Sequence, residues 1–201
     1  WVKSRNLVFE KIHLCKRMPT EDEMYLHNLE VEMHNQEVRS QNIQTKELRT
    51  DTWKKYYGLD FGYNDPNVAI RVYKKEKELY IEQLVYKRKQ TLNQLADDLS
   101  MINGKFYCDH SPLIKKELKS KGIRLKNADK KEILQGLGFI RQHKIHILET
   151  SLETIKEFRE YKYKLDDDNN PTDQPLDYNN HSVDAVRYAL SFALRGGIRV
   201  R

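Results

Sequence analysis

A single carboxylate sits inside Tyr57-Gly58-Leu59-Asp60-Phe61-Gly62-Tyr63. Read as a strand, this run puts Tyr57, Leu59, Phe61 and Tyr63 on one face and Gly58, Asp60 and Gly62 on the other. Aspartate and glycine are poor strand formers, so their retention points to an open charge with room around it. Such a carboxylate suits a divalent cation and a phosphate backbone. A second candidate, Asp109, closes Phe106-Tyr107-Cys108-Asp109 at the end of an expected strand, where ligands gather in open α/β sheets. The competing role for Asp109 is an N-cap for the following helix. A third lies in His181-Ser182-Val183-Asp184-Ala185-Val186-Arg187-Tyr188. On a helix His181, Asp184 and Tyr188 share one stripe, while Ala185, Val186, Ala189, Leu190, Phe192 and Ala193 form an apolar face. Asp184 also suits the simpler role of an acid in a helix's first turn.

Other clusters carry less. Asp166, Asp168, Asn170 and Asp177 partly fit a calcium loop, but Pro171 replaces the required glycine and the bidentate glutamate is missing, which favours a solvated turn. His110, His143 and His146 have no ligand spacing. There is no Gly-x-x-x-x-Gly-Lys-Ser/Thr loop, no His-Glu-x-x-His, no Gly-x-Ser-x-Gly and no Cys-x-x-Cys pair.

The elements that must position these residues follow from periodicity and punctuation. Strands are expected at 56–63, 68–75 and 78–86, with turns at Asn64-Asp65-Pro66-Asn67 and Lys75-Glu76-Lys77. Leu92, Leu95, Leu99 and Ile102 mark a helix over 91–102 capped by Thr91. Short strands are expected at 105–109, 123–125, 144–148 and 161–165. Helices are expected at 112–121 (ended by Gly122), 129–142, 151–160 and 181–195. Strands first, then alternation, means a mixed α/β domain. Thr20 and Glu23 form a helix-start pattern ahead of a polar stretch running to Arg49, expected to be an exposed arm.

The chain has 201 residues, with 38% hydrophobic and 33% charged residues, so one domain with appended pieces is expected. A net charge of +6 favours a polyanionic partner only mildly. Cys15 and Cys108 are too far apart in sequence to suggest a metal cluster, and a reduced compartment is expected. No apolar run reaches membrane-spanning length. Trp1 is not a natural start, so the chain is expected to be a piece of a longer protein.

Together, one carboxylate on a first strand, one at a later strand end and one on a late helix resemble the ribonuclease H-like fold, an α/β mixed central sheet flanked by helices. Tyr57 to Pro66 followed by Val68-Ala69-Ile70, then Phe106 to Asp109, then Asn180 to Ala189, resemble the three acidic motifs of the nuclease domain of tailed-phage large terminase subunits, the SPP1-like group in particular. The resemblance implies residues 1–55 as a linker and helical arm from an ATPase domain, 56–195 as the nuclease domain and 196–201 as a tail. It implies an endonuclease cutting double-stranded concatemeric viral DNA during genome packaging in the host bacterial cytosol. Asp60, Asp109, Asp184 and His181 would hold two Mg²⁺ or Mn²⁺ ions about 4 Å apart, with His181 as ligand or proton carrier. An ATPase domain, a small terminase subunit and a portal protein would be partners, and no membrane is involved. Lys115, Lys116, Lys119, Lys121 and Arg124 could contact the DNA backbone. A Holliday-junction resolvase or transposase of the same fold, and a non-catalytic DNA-binding assembly module, are the alternatives.

Overall fold

The computed structural model describes residues 8, 9, 11–40, 53–128 and 133–193. Its centre is a seven-stranded mixed sheet. An antiparallel meander of β2 (Lys54–Asp60), β3 (Asn67–Lys75) and β4 (Glu78–Lys87) forms its middle. On one side β5 (Phe106–Cys108) and β6 (Leu125–Asn127) add in parallel to β2. On the other, β7 (Lys144–Leu148) runs parallel to β4 and β1 (His13–Cys15) parallel to β7.

Alternation along the strands divides the core into two layers. Tyr57 and Leu59 face Leu95 and Leu99 of α2 (Leu92–Ser100) and Leu118 of α3 (Pro112–Ser120). Val68, Ile70, Val72, Leu79 and Ile81 face the opposite layer, built from α4 (Ile133–Arg141), α5 (Leu152–Glu160) and α6 (His181–Leu190). Burying a large aliphatic side chain is worth about 1.5–3 kcal/mol, so these two layers hold the sheet rigid beneath its C-terminal strand ends.

Most expected elements are present. β7 occupies 144–148 as expected, and α2 opens with a complete Thr91–Gln94 capping box. Gly122 follows α3 at φ +85°, a conformation that glycine adopts without strain. The first strand stops at Asp60 instead of running to residue 63, so Tyr63 lies in a loop and is exposed. Of the expected helix over 129–142, residues 129–132 lie outside the described residues, as do 194 and 195 of the expected last helix and the 196–201 tail.

Two strands depart from expectation. β1 joins the sheet, and Val8 and Phe9 are buried in its core, so the sheet reaches back across the boundary expected at residue 56. β9 (Pro171–Pro175) pairs with β8 (Tyr163–Leu165) in a separate antiparallel hairpin. The 20–50 stretch also differs. The arm begins as α1 (Glu21–Ser40) with the expected Thr20–Glu23 capping box, but Met24, His27 and Val31 form a buried stripe along it. Its Asn28 side chain accepts a bond from the Trp53 backbone N–H at 3.1 Å. The helix is therefore docked in part, and residues 41–50 lie outside the described residues.

Candidate metal-dependent nuclease site

Gly58 determines where α6 lies. A Cβ built on Gly58 would come within 1.8 Å of the Ala185 carbonyl oxygen and 3.0 Å of the Ala189 nitrogen. The helix backbone thus rests directly on β2, which only glycine in the strand permits. Two strand residues span about 6.6 Å and one helical turn about 5.4 Å. Moving from Gly58 to Asp60 therefore matches moving from Ala185 back to His181. That correspondence brings together residues 121 positions apart: His181 Nδ1 lies 3.1 Å from Asp60 Oδ2. Gly62 serves a tight turn, since a Cβ there would meet the Asp65 carbonyl oxygen at 2.5 Å. The turn is closed by buried Asn67, whose Oδ1 accepts from the Gly62 N–H at 3.1 Å. It carries Asp65 to 3.8 Å from His181 Nε2. The expectation that both glycines leave space for a ligand is therefore corrected. Their space is filled by backbone.

The charges at this junction are strained. The side chains of Asp60, His181 and Asp184 keep only 15%, 17% and 18% of their exposure. Burial pushes the Asp60 carboxyl up to about 6, the His181 hydrogen bond pulls it down and the charge of Asp184 pushes it up further. Asp184 is also raised, chiefly by burial, against the pull of Arg187. His181 is raised above the ordinary imidazole value, first by its bond to Asp60. Half-buried Tyr188 is raised by desolvation and then by Asp184 and Asp60, with a smaller push from Asp109.

Asp109 is placed differently. Leu59 pairs with Cys108 in parallel register, so Asp60 and Asp109 occupy equivalent positions at the ends of neighbouring strands. Yet the Asp109 side chain is exposed. It is not the helix cap, because Ser111 holds that position for α3. Among the described residues no group of three or more His, Cys, Asp or Glu side chains stands close enough to hold a metal ion. Asp60 and His181 touch, Asp184 stands within electrostatic reach, and Asp109 flanks them.

Sequence reasoning missed two supports. Glu157 on α5 is 2% exposed, and its carboxylate accepts from the Ser182 N–H at 2.5 Å and the Tyr86 hydroxyl at 2.8 Å. It supplies the cap that the Asn180 side chain does not give α6, with a negative charge at the positive helix end. A bulge in β4 sets the same helix pair. Between Ala69↔Val85 and Ile70↔Gln83 the extra residue is Leu84, and the Gln83 N–H leaves the ladder to donate to Ser151 Oγ at 3.0 Å. Gln83 Oε1 accepts from the Thr154 hydroxyl, which also bonds Ser182 Oγ at 3.1 Å. Neither feature has a local sequence signal, since both depend on contacts roughly 70 residues apart or on α5 meeting α6.

The other sequence candidates settle elsewhere. Asp166 Oδ1 accepts from the N–H groups of Asp168 and Asn170, which makes this segment the tight turn of the β8–β9 hairpin. His143 contacts the Phe139 carbonyl, His146 stacks on Tyr80, and His110 lies 3.5 Å from the Asn127 amide. Lys116, Lys119, Lys121 and Arg124 are exposed, but Lys115 lies on the buried side of α3, 7% exposed, and is withdrawn from a DNA-facing role.

A mixed sheet with helices on both faces and carboxylates at adjacent strand ends is the architecture of ribonuclease H-like nucleases, and solved structures agree. The nuclease domain of the bacteriophage SPP1 large terminase, with bound Mn, superposes with a TM-score of 0.67 at 22% identity, covering 92% of this chain and 98% of that one. The P22 large terminase nuclease domain gives 0.65 at 15% identity, covering 94% and 92%. The large terminase of a thermophilic bacteriophage, in complex with ADP, gives 0.57 at 20% identity, covering 70% of this chain and 40% of that one. The family model of the terminase RNase H-like domain matches residues 60–191, and the chain belongs to that family. The matched span contains Asp60, Asp109, His181 and Asp184. No curated protein matches the sequence.

Proposed function

We propose that this chain is a divalent-metal-dependent endodeoxyribonuclease, the domain that cuts double-stranded concatemeric viral DNA during genome packaging. The observation that carries the reading is the pairing of half-buried Asp60 with His181 at the start of α6, with Asp184 one turn along the same helix. The donor set fits a hard cation. All three carboxylates offer oxygen, the chemistry Mg²⁺ and Mn²⁺ favour. A cation at Asp60 would offset the desolvation and like-charge repulsion that raise its carboxyl.

Asp60, Asp109 and Asp184, with His181 beside them, would hold the ions. Bound there, the ions would lower the pKa of the attacking water and stabilise the attacking and leaving oxygens of an in-line displacement at phosphorus. The hydrogen bond between His181 Nδ1 and Asp60 orients the imidazole, which would carry a proton at the scissile phosphate. Gly58 and Glu157 fix α6, and through it His181 and Asp184, against β2. Exposed Lys116, Lys119, Lys121 and Arg124 would contact phosphates without reading sequence.

In the full-length protein an ATPase domain, a small terminase subunit and a portal protein would be the partners, and the bacterial cytosol the site of action. Plasmid cleavage with Mn²⁺ tests the reading. Wild type nicks and linearises DNA, and folded Asp60→Ala does not. An active, folded Asp60→Ala protein would sink the site. Preferential cutting of branched junctions over linear duplex would favour a resolvase, and no cleavage by wild type a non-catalytic module.

A further inference from the structure

Arg187 follows Asp184 by three residues on α6. Its Nε and Nη2 both donate to the same oxygen, Asp184 Oδ1, at 3.2 and 2.9 Å. Among the described residues Oδ2 accepts no hydrogen bond. This is not an ordinary surface pair three residues apart. The Arg187 side chain keeps 12% of its exposure, and its guanidinium carbon lies 5.0 Å from the Tyr188 ring centroid. A second helix is shaped around it. A Cβ on Gly136 of α4 would come within 2.5 Å of Arg187 Cγ and 2.6 Å of Cδ. The missing side chain on α4 makes the channel through which the arginine stem passes.

We infer that Arg187 is a positioning residue for the metal site: its guanidinium fork fixes the Asp184 carboxylate by Oδ1 and reserves Oδ2 for a divalent cation. The inference rests on the metal-dependent reading above. A ligating carboxylate that is itself hydrogen-bonded presents its free oxygen in one orientation, and losing such a partner typically costs about 10–100-fold in metal affinity. The planar fork matters as much as the charge, because a lysine ammonium is a point charge that cannot make two parallel bonds from a rigid frame. The rival role for the same contact is a plain counter-ion that competes with the cation. It predicts the opposite sign, since removing a positive charge beside Asp184 would then tighten cation binding.

Mn²⁺ titration of the 201-residue chain by calorimetry, without DNA, separates the two. Wild type, Arg187→Lys and Arg187→Gln are compared, with thermal unfolding in EDTA as the fold control. Arg187→Lys is expected to weaken Mn²⁺ binding about 10–100-fold at unchanged net charge. Wild-type affinity in folded Arg187→Lys, or tighter binding by Arg187→Gln, overturns the inference. Should either variant fail to fold, Gly136→Ala displaces the arginine stem while leaving both charges intact. Weaker Mn²⁺ binding there supports the inference, and unchanged binding in the folded protein overturns it. Wild type that binds no Mn²⁺ overturns the metal-site reading itself, a result distinct from intact wild-type binding with indifferent variants.

Discussion

Asp60 and Asp109 occupy equivalent positions at the ends of neighbouring parallel strands, yet one is half-buried and strained and the other is open. The difference is α6. It lies on β2 through Gly58 and closes over Asp60, bringing His181 and Asp184 with it. Past the end of β5 the next element, α3, packs on the opposite face, and Asp109 stays in solvent. The buried half of the site is thus preorganised by helix packing at a cost in desolvation, and the open half is available to complete it.

Asp60→Asn should abolish Mn²⁺-dependent plasmid cleavage, by at least on the order of 10³-fold, while melting in EDTA stays level or rises because an unfavourable buried charge is gone. A fall in melting temperature would mean that the Asp60–His181 contact stabilises the fold more than burial destabilises it. Asp109→Asn should also reduce cleavage strongly, on the order of 10²-fold, but an exposed change of this kind should shift stability by no more than about 0.5 kcal/mol. A large stability loss there would show that Asp109 is not an open residue.

Gly58→Ala probes the packing rather than the chemistry. A methyl group against the Ala185 carbonyl should cost about 3 kcal/mol, read as a lowered denaturation midpoint, and should loosen Asp60 from His181. A neutral Gly58→Ala would remove the account of how α6 is seated. In pH titrations the same contrast has a sign. Asp60 is raised to about 6, so its proton competes with metal below that value, and Mn²⁺ affinity should fall about tenfold per unit as pH drops below 6. For the metal-free fold the linkage runs the other way. A raised carboxyl favours the folded state below its unfolded value and loses that benefit as pH rises through about 6, and raised His181 acts in the same direction. Melting in EDTA should therefore rise on acidification from about pH 7.5 to about 6. The smallest effect is expected from Lys116→Ala with Lys119→Ala, which should lower the salt dependence of DNA binding by roughly two phosphate contacts.

Much of this architecture was legible in the residues. Alternation placed Tyr57 and Leu59 opposite Gly58 and Asp60, and the structure keeps those faces. The helical stripe put His181 and Asp184 on one side of α6, away from Ala185 and Val186. What the glycines do was not legible. A missing side chain looks the same in sequence whether the space receives a ligand or a helix backbone. β9 escaped because Pro171 and Pro175 bracket it, and proline argues against a strand unless the edge is free. β1 escaped because three residues hold no period, and its pairing with β7 joins residues more than 130 apart. Glu157 reads locally as one more charge on an amphipathic helix. Only the meeting of α5 and α6 makes it a cap.

Asp60, Asp184 and Asp109 would converge on divalent metal although only part of the site is preassembled. Anomalous diffraction from a crystal soaked in Mn²⁺ tests it most directly. Mn²⁺ is expected at Asp60, with Asp184 and Asp109 completing the oxygen donors and His181 alongside. Full-strength soaking that leaves Asp60 paired only with His181, and manganese bound elsewhere or nowhere, would contradict it.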